Sequence, residues 1–423
     1  MVQAPLKSSS LTSHQLSNGL TIVAEQVSID VVNFSLWLDA GSAVEADSIN
    51  GMAHFLEHMV FKGTAQLQSG EFEHLIEQRG GVMNAATSHD YTYYYMTVAP
   101  QDFAAGAIAQ IDLVLNASIP EAAFEQERLV ILEEIRRAQD NPRRQLFEQA
   151  MKLGYCKLPY RRPVLGSANV VKQLTLQQMR QFHQSWYQPQ SITAVVVGNL
   201  PVEQLIQAVE DKLTSVPQGQ LPARPQWQLD PPFLGITRQE LADERLQQAR
   251  LIMLWRVPGL AQREQTYALD MLAQLLGQGR TSRLVQDLRE ARGWVSNISV
   301  SNAPQVLQGV FYVSAQLPTD AIPAVEAAIA QHIKVLQTEQ ITTTELVQAQ
   351  TCTANGFVFN NEAPANRANL YGYYQATLKN LAPALDYPAQ IRAVTPEEIQ
   401  TAAQRYLSAE AYGVVVLKPR TDS

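Results

Sequence analysis

The sequence predicts an α+β protein built from two similar halves. Three observations carry this: the chain matches itself, short β-rich runs alternate with amphipathic helices, and a Pro-rich segment without periodicity lies between the halves. The self-match is clearest near the ends of the halves. Residues 174–199 (LTLQQMRQFHQSWYQPQSITAVVVGN) share a pattern with residues 394–419 (VTPEEIQTAAQRYLSAEAYGVVVLKP). Thr175 and Thr395 read as helix N-caps, Pro396 sits at a first helical position, and Ile192 to Val197 and Tyr412 to Leu417 read as buried strands. Near the starts of the halves, VNFSLWLDAGSA aligns with RLIMLWRVPGLA, so that Trp37 falls on Trp255 and Gly41 on Gly259. Two matches at nearly equal offset point to duplication.

Within the first half, LTIVAEQ and VVNFSLWL read as strands. The stretch around His54 and residues 71–78 read as helices, and GVMNAATS and YTYYYMTV as a strand pair. The expectation is a sheet in each half covered by helices on one side. Residues 216–235 (VPQGQLPARPQWQLDPPFLG) have no helical or strand period. They place a first lobe at 1–216, a linker at 217–235 and a second lobe at 236–423, with a cleft expected between the lobes.

Composition narrows the function. With 423 residues, 46% hydrophobic and 17% charged, the chain can bury a large core and reads as an ordinary soluble globular protein. A net charge of -8 and a pI near 5.5 argue against nucleic-acid and acidic-membrane partners. The N-terminal stretch has no apolar core behind a basic start, and no later run approaches membrane-spanning length. Cys156 and Cys352 are too few for a disulfide framework and read as core packing, which leaves a cytoplasmic setting as the expectation.

The chemistry concentrates in NGMAHFLEHMVFKGT, where His54, Glu57 and His58 have the spacing HxxEH. On a helix, His54 and His58 lie one turn apart on one face, so two imidazoles can reach one tetrahedral metal. Glu57 sits on the adjoining edge, where a carboxylate can take a proton from water activated by the metal. A catalytic zinc takes three protein ligands and leaves a fourth position open. The third ligand could be His74, His89, Asp90 or an acid of residues 121–140 (EAAFEQERLVILEEIRRAQD). Glu127 and Glu134 share a helix face two turns apart with Val130 and Ile131 between them, whereas Glu133 points about 100° away. Glu134 is the choice for ligand and Glu127 for a group that orients it or a histidine. Spacing alone equally allows exposed acids paired with Arg128, Arg136 and Arg137.

These residues resemble the pitrilysin and insulinase zinc metallopeptidases, especially the short-chain branch that includes the mitochondrial processing peptidase β subunit. The matching elements are LSNGLTIV, HFLEHMVFKGT, GGVMNAATSHDYTYYY, ERLVILEEI and GQGRTSRLVQDLREARG, and the likeness covers nearly the whole chain. It implies two homologous α/β-sandwich lobes closing as a clamshell around a central cleft. It also implies one zinc per chain on His54, His58 and Glu134, Glu57 as base, and Glu127 in support. With Trp37 superposed on Trp255, the motif falls on Leu272, Leu275 and Leu276, so the second half should hold no metal.

By the same resemblance GVMNAATS holds substrate as an added strand through Asn84 and Ala85. Arg289 matches a family arginine that reaches the substrate, but Ser296 stands where a tyrosine is usual. The expected function is a zinc endopeptidase acting on peptides or presequences, as a homodimer or as a heterodimer with a related subunit that supplies the missing contact. The alternatives are a non-catalytic scaffold subunit and a zinc hydrolase of non-peptide substrates.

Overall fold

The computed structural model describes residues 11–420. The reading of the N-terminus as leaderless falls partly on residues 1–10, outside the described residues. The strands are β1 (Leu11–Gln15), β2 (Thr21–Gln26), β3 (Val32–Leu38), β4 (Val82–Thr87), β5 (Thr92–Val98) and β6 (Ile192–Gly198), then β7 (Thr237–Asp243), β8 (Ala249–Pro258), β9 (Asn297–Ala303), β10 (Gln308–Leu317) and β11 (Gly413–Pro419). The first-half helices are α1 (Met52–Val60), α2 (Glu71–Glu77), α3 (Phe103–Leu115), α4 (Glu121–Asp140), α5 (Pro142–Gly154), α6 (Ala168–Val171), α7 (Leu176–Trp186) and α8 (Val202–Thr214). The second-half helices are α9 (Tyr267–Gly277), α10 (Ile322–Thr338), α11 (Thr343–Asn360), α12 (Pro364–Leu378), α13 (Ala382–Ala393) and α14 (Pro396–Tyr406).

The two sheets have the orders β1-β2-β6-β3-β5-β4 and β7-β11-β8-β10-β9. Apart from the added β1, they are the same sheet. β2 runs parallel to β6 as β7 does to β11, and every other pairing is antiparallel. The sequence match of Trp37 to Trp255 does not hold in space: Trp37 faces α12, a helix of the other half, whereas Trp255 faces α9, α10 and α14, and it is Leu254 that faces α5, a helix of the first half. The helices leading into β6 and β11 start alike. Thr175 with Gln178 and Thr395 with Glu398 form capping boxes, in which the threonine hydroxyl accepts a backbone N–H and the partner side chain accepts one in return.

The compact units are not contiguous in sequence. Unit 1 contains the residues up to Ile135, Pro163–Gln226 and Asn360–Leu385; unit 2 contains Arg136–Arg162, Trp227–Phe359 and the residues from Asp386 onward. Each half lends a helix to the other's sheet: α12 packs on β3 and β6, and α5 on β8 and β11. Both faces of each sheet are therefore covered, not one. In unit 1, Trp37, Val195 and Val197 meet α12, while Phe34, on the alternate face of β3, stacks edge-on against Phe103 of α3. In unit 2, Met253 and Trp255 join the core of α9, α10 and α14, while Leu254 points to Gly154 at the end of α5. Strands enclosed on both faces lose the polar alternation of a half-exposed strand, and β3 and β6 are buried at every residue.

Two contacts seat α12. Gly372 lies against the Trp37 indole so closely that a Cβ there would come 2.1 Å from Nε1, which explains a glycine inside a helix. Beside it, the buried Glu25 carboxylate of β2 accepts from Nε and Nη2 of Arg367, at 2.8 and 2.6 Å, and from the Tyr371 hydroxyl at 2.9 Å.

The start of α1 is clamped. Glu45, with no solvent exposure, accepts the backbone N–H groups of Gly51 (2.9 Å) and Ala53 (2.7 Å) and the Asn50 amide (2.9 Å). Gly51 has a φ of 102° and Gly166 one of 73°, and a Cβ on either would strike the other's strand of backbone within 2.6 Å. Cys156 and Cys352 are exposed free thiols, against the expectation of core positions. Among the described residues, no helix is long and apolar enough to cross a membrane.

Replacing Arg367 with Met leaves Glu25 buried without its cation, and should destabilise the protein by about 3–5 kcal/mol. The double variant Glu25→Leu, Arg367→Met should recover most of that loss; chemical denaturation of the three proteins measures both.

Candidate metal site

α1 presents Met52, Phe55, Leu56, Met59 and Val60 to the core, which turns its remaining edge, with His54 and His58, toward α4. The rings of His54 and His58 lie 4.8 Å apart. Each Nε2 stands 3.7 Å from Oε2 of Glu134. One nitrogen from each histidine and one carboxylate oxygen all lie within 4.8 Å of one another, and among the described residues this is the only such group of His, Cys, Asp or Glu. Bonds of about 2.1 Å to a tetrahedral ion separate its ligands by roughly 3.4 Å, so the three donors fit a zinc-sized cation with small adjustments.

The donors are prepared for it. Glu127 Oε1 receives the Nδ1 proton of His58 at 2.9 Å, which leaves Nε2 with its lone pair directed at Glu134. Glu127 Oε2 is held by Lys62 Nζ at 2.7 Å. Partial burial pushes the Glu127 carboxyl up, but the hydrogen bonds from Lys62 and His58 outweigh it and hold it below the usual range. Glu134 is part of this cluster and its neighbour Glu133 is not, in line with the helix geometry. The apolar bulk expected between the two acids is half right: Ile131 is buried, but Val130 is exposed.

Glu57 lies beside the donors, within electrostatic reach of His58 and Glu134. Burial pushes its carboxyl above the ordinary range, against a hydrogen bond from Thr87 and the His58 charge, which pull it down. Thr87 Oγ1 donates to Glu57 Oε2 at 2.5 Å. β4, which packs against α1, forms the edge of its sheet. Asn84 and Ala85 lie on it opposite Tyr95 and Tyr94, and the Ala85 N–H points to the Asn84 side-chain oxygen at 2.9 Å instead of into the ladder. Arg289 lies in unit 2, on a π-helical segment (Val285–Ala291), with its guanidinium on Glu290. Ser296 donates to Gln248.

At the offset of the sequence match, the motif falls on Leu272, Leu275 and Leu276, all buried in α9 of unit 2. Three functional positions were missed in the sequence. Lys62 and Thr87 sit inside the quoted motifs but have no spacing signal of their own. Glu45 lies nine residues before His54, and nothing local marks it as a helix cap.

Comparison with known proteins identifies the family. Residues 21–168 match the family model described as Insulinase (Peptidase family M16), and residues 173–351 match the one described as Peptidase M16 inactive domain. The leucines at the motif positions lie within the second match. An uncharacterized zinc protease of Mycobacterium tuberculosis is 29% identical over 406 residues, 96% of this chain and 92% of that protein. The zinc protease PqqE of Helicobacter pylori is 26% identical over 411 residues, with 96% and 92% covered. The crystal structure of a protease from Helicobacter pylori superposes with a TM-score of 0.91 at 26% identity, covering 98% of this chain and 100% of that one. A putative M16-like peptidase from Alicyclobacillus acidocaldarius shares the fold, with a TM-score of 0.88 at 20% identity and 99% and 100% covered. The two family matches span most of the chain in consecutive blocks, and the chain belongs to the insulinase family of peptidases, family M16.

Proposed function

We propose that the chain is a zinc-dependent endopeptidase that cleaves extended peptides, with His54, His58 and Glu134 as ligands of one zinc and Glu57 as the base. The observation that carries this reading is the convergence of the three donors within 4.8 Å beside a buried carboxylate. Zinc bound there supplies a Lewis acid that polarises a peptide carbonyl and activates water. Glu57 takes the proton of the attacking water and returns it to the leaving amine. Its burial favours that role, because a carboxyl raised toward the working pH both accepts and releases a proton readily. Glu127, steadied by Lys62, keeps His58 in the tautomer that offers Nε2.

The peptide adds as a further strand on the free edge of β4, along Asn84 and Ala85, where recognition depends on backbone shape more than on sequence. The Ala85 N–H, turned out of the ladder, is the donor available to it once the Asn84 side chain swings aside. The proposal includes a chamber completed by the second unit, with Arg289 as a substrate contact. It also includes a related subunit, as a homodimer or heterodimer, that supplies what Ser296 is too short to reach. Its setting is the cytoplasm, without nucleic-acid or membrane partners.

The test is metal content of the purified chain together with cleavage of a mixed peptide library, for the wild type and Glu57→Gln. The variant should keep about one zinc per chain and lose turnover by about two to four orders of magnitude. Wild-type turnover in Glu57→Gln excludes Glu57 as the base, and zinc without cleavage in either protein favours a scaffold or a missing subunit. Glu134→Gln should lose zinc on dialysis while Glu133→Gln retains it; loss in the 133 variant overturns the ligand set.

A further inference from the structure

Thr87 is the last residue of β4, and its hydroxyl makes the short contact of 2.5 Å to Glu57 Oε2. A hydroxyl that donates to a carboxylate makes a charge-assisted bond, the stronger class. Glu57 is only 9% exposed, so little water competes for the oxygen. A glutamate has three rotatable side-chain bonds, and one seated beside a metal can turn inward as a fourth ligand or outward away from the reacting water. We infer that Thr87 is the positioning residue for the base: it holds Oε2 in place and leaves Oε1 as the oxygen that handles the proton. This inference rests on the peptidase reading above.

The strand end that carries the hydroxyl is itself held from behind. Thr87 pairs with Thr92, the buried first residue of β5, and the Thr92 hydroxyl lies 3.5 Å from that of Thr87 while donating to the Ala40 carbonyl at 2.9 Å. The loop between the two threonines is closed by Ser88 N–H to Tyr91 O at 2.8 Å. From the other side, Ser42 N–H donates to Ser88 O (3.1 Å) and Ala43 N–H to His89 O (2.8 Å). Gly41 permits that approach, since a Cβ there would come 2.3 Å from Ser88 O. The strand end that bears Thr87 is thus fixed to the backbone of residues 40–43, which leads directly to Glu45 and the start of α1. Base and anchor are referenced to one another through a short, rigid path. Thr87 also lies two residues beyond Ala85, so the strand on which peptide is proposed to add carries the group that aims the base.

Valine at position 87 keeps the shape and β-branching of threonine and removes only the hydroxyl; serine restores the hydroxyl and removes a methyl. Zinc content, thermal stability, kcat and KM would be measured for Thr87→Val, Thr87→Ser and Glu57→Gln. Thr87→Val should keep its zinc and fold, with kcat lowered about 10- to 100-fold and KM within about twofold, the loss appropriate to one hydrogen bond to a charged group. Thr87→Ser should recover kcat to within about threefold of the wild type. An unchanged kcat in Thr87→Val overturns the inference, as does a fall accompanied by zinc loss or not recovered by serine. If Glu57→Gln is inactive while Thr87→Val is fully active, only the role of Thr87 fails; if Glu57→Gln is fully active, the reading of the base fails with it.

Discussion

The site depends on a carboxylate that takes no part in its chemistry. Glu45, sealed from water, gathers the first N–H groups of α1 and so satisfies donors that a buried helix end would otherwise leave unpaired. Its negative charge sits where the helix dipole favours one. α1 is nine residues long, too short to hold a direction by its own hydrogen bonds, yet it carries His54, Glu57 and His58. The cap, the left-handed Gly51 and its close contact with Gly166 fix where the helix begins. Everything downstream, from the donors facing α4 to the contact of Glu57 with Thr87, follows from that starting point.

The same economy appears in the sheets. A six-stranded and a five-stranded sheet of equivalent order each have two faces to cover, and the helices lying between the strands of one half cover one of them. The exchange of α5 and α12 covers the other. Burying Glu25 under α12 would be costly alone, but Arg367 and Tyr371 arrive on that helix to pair with it, and Gly372 lets the helix close on Trp37. The exchanged helix is therefore recognised by shape and by charge.

Duplication has been followed by specialisation. The equivalent strands and capping boxes survive in both units, because they satisfy backbone geometry whatever the function. The HxxEH positions do not: at the offset of the sequence match, α9 has three leucines where α1 has His54, Glu57 and His58, and their burial adds to the core of unit 2. Apolar side chains at those positions strengthen packing, whereas buried polar groups there would each need a hydrogen-bond partner.

Much was legible in the chain itself. Periodicity, capping residues and self-similarity are local or repeated signals, and they led to the α+β class, the duplication, the paired helix–strand ends and the HxxEH helix. The distinction of Glu134 from Glu133 also followed, since helix geometry separates adjacent residues by about 100°. What spacing left open was which distant acid meets the histidines, and no local pattern pointed to Lys62, Thr87, Glu45 or the exchange of α5 and α12. Those contacts join residues far apart in the sequence: His58 with Glu127, Thr87 with Glu57, Glu25 with Arg367. Sequence alone determined which residues could do the chemistry, because residue type and helical spacing are local properties. Tertiary structure decided which of them meet and what holds them still, because burial and long-range hydrogen bonds exist only once the chain has closed on itself.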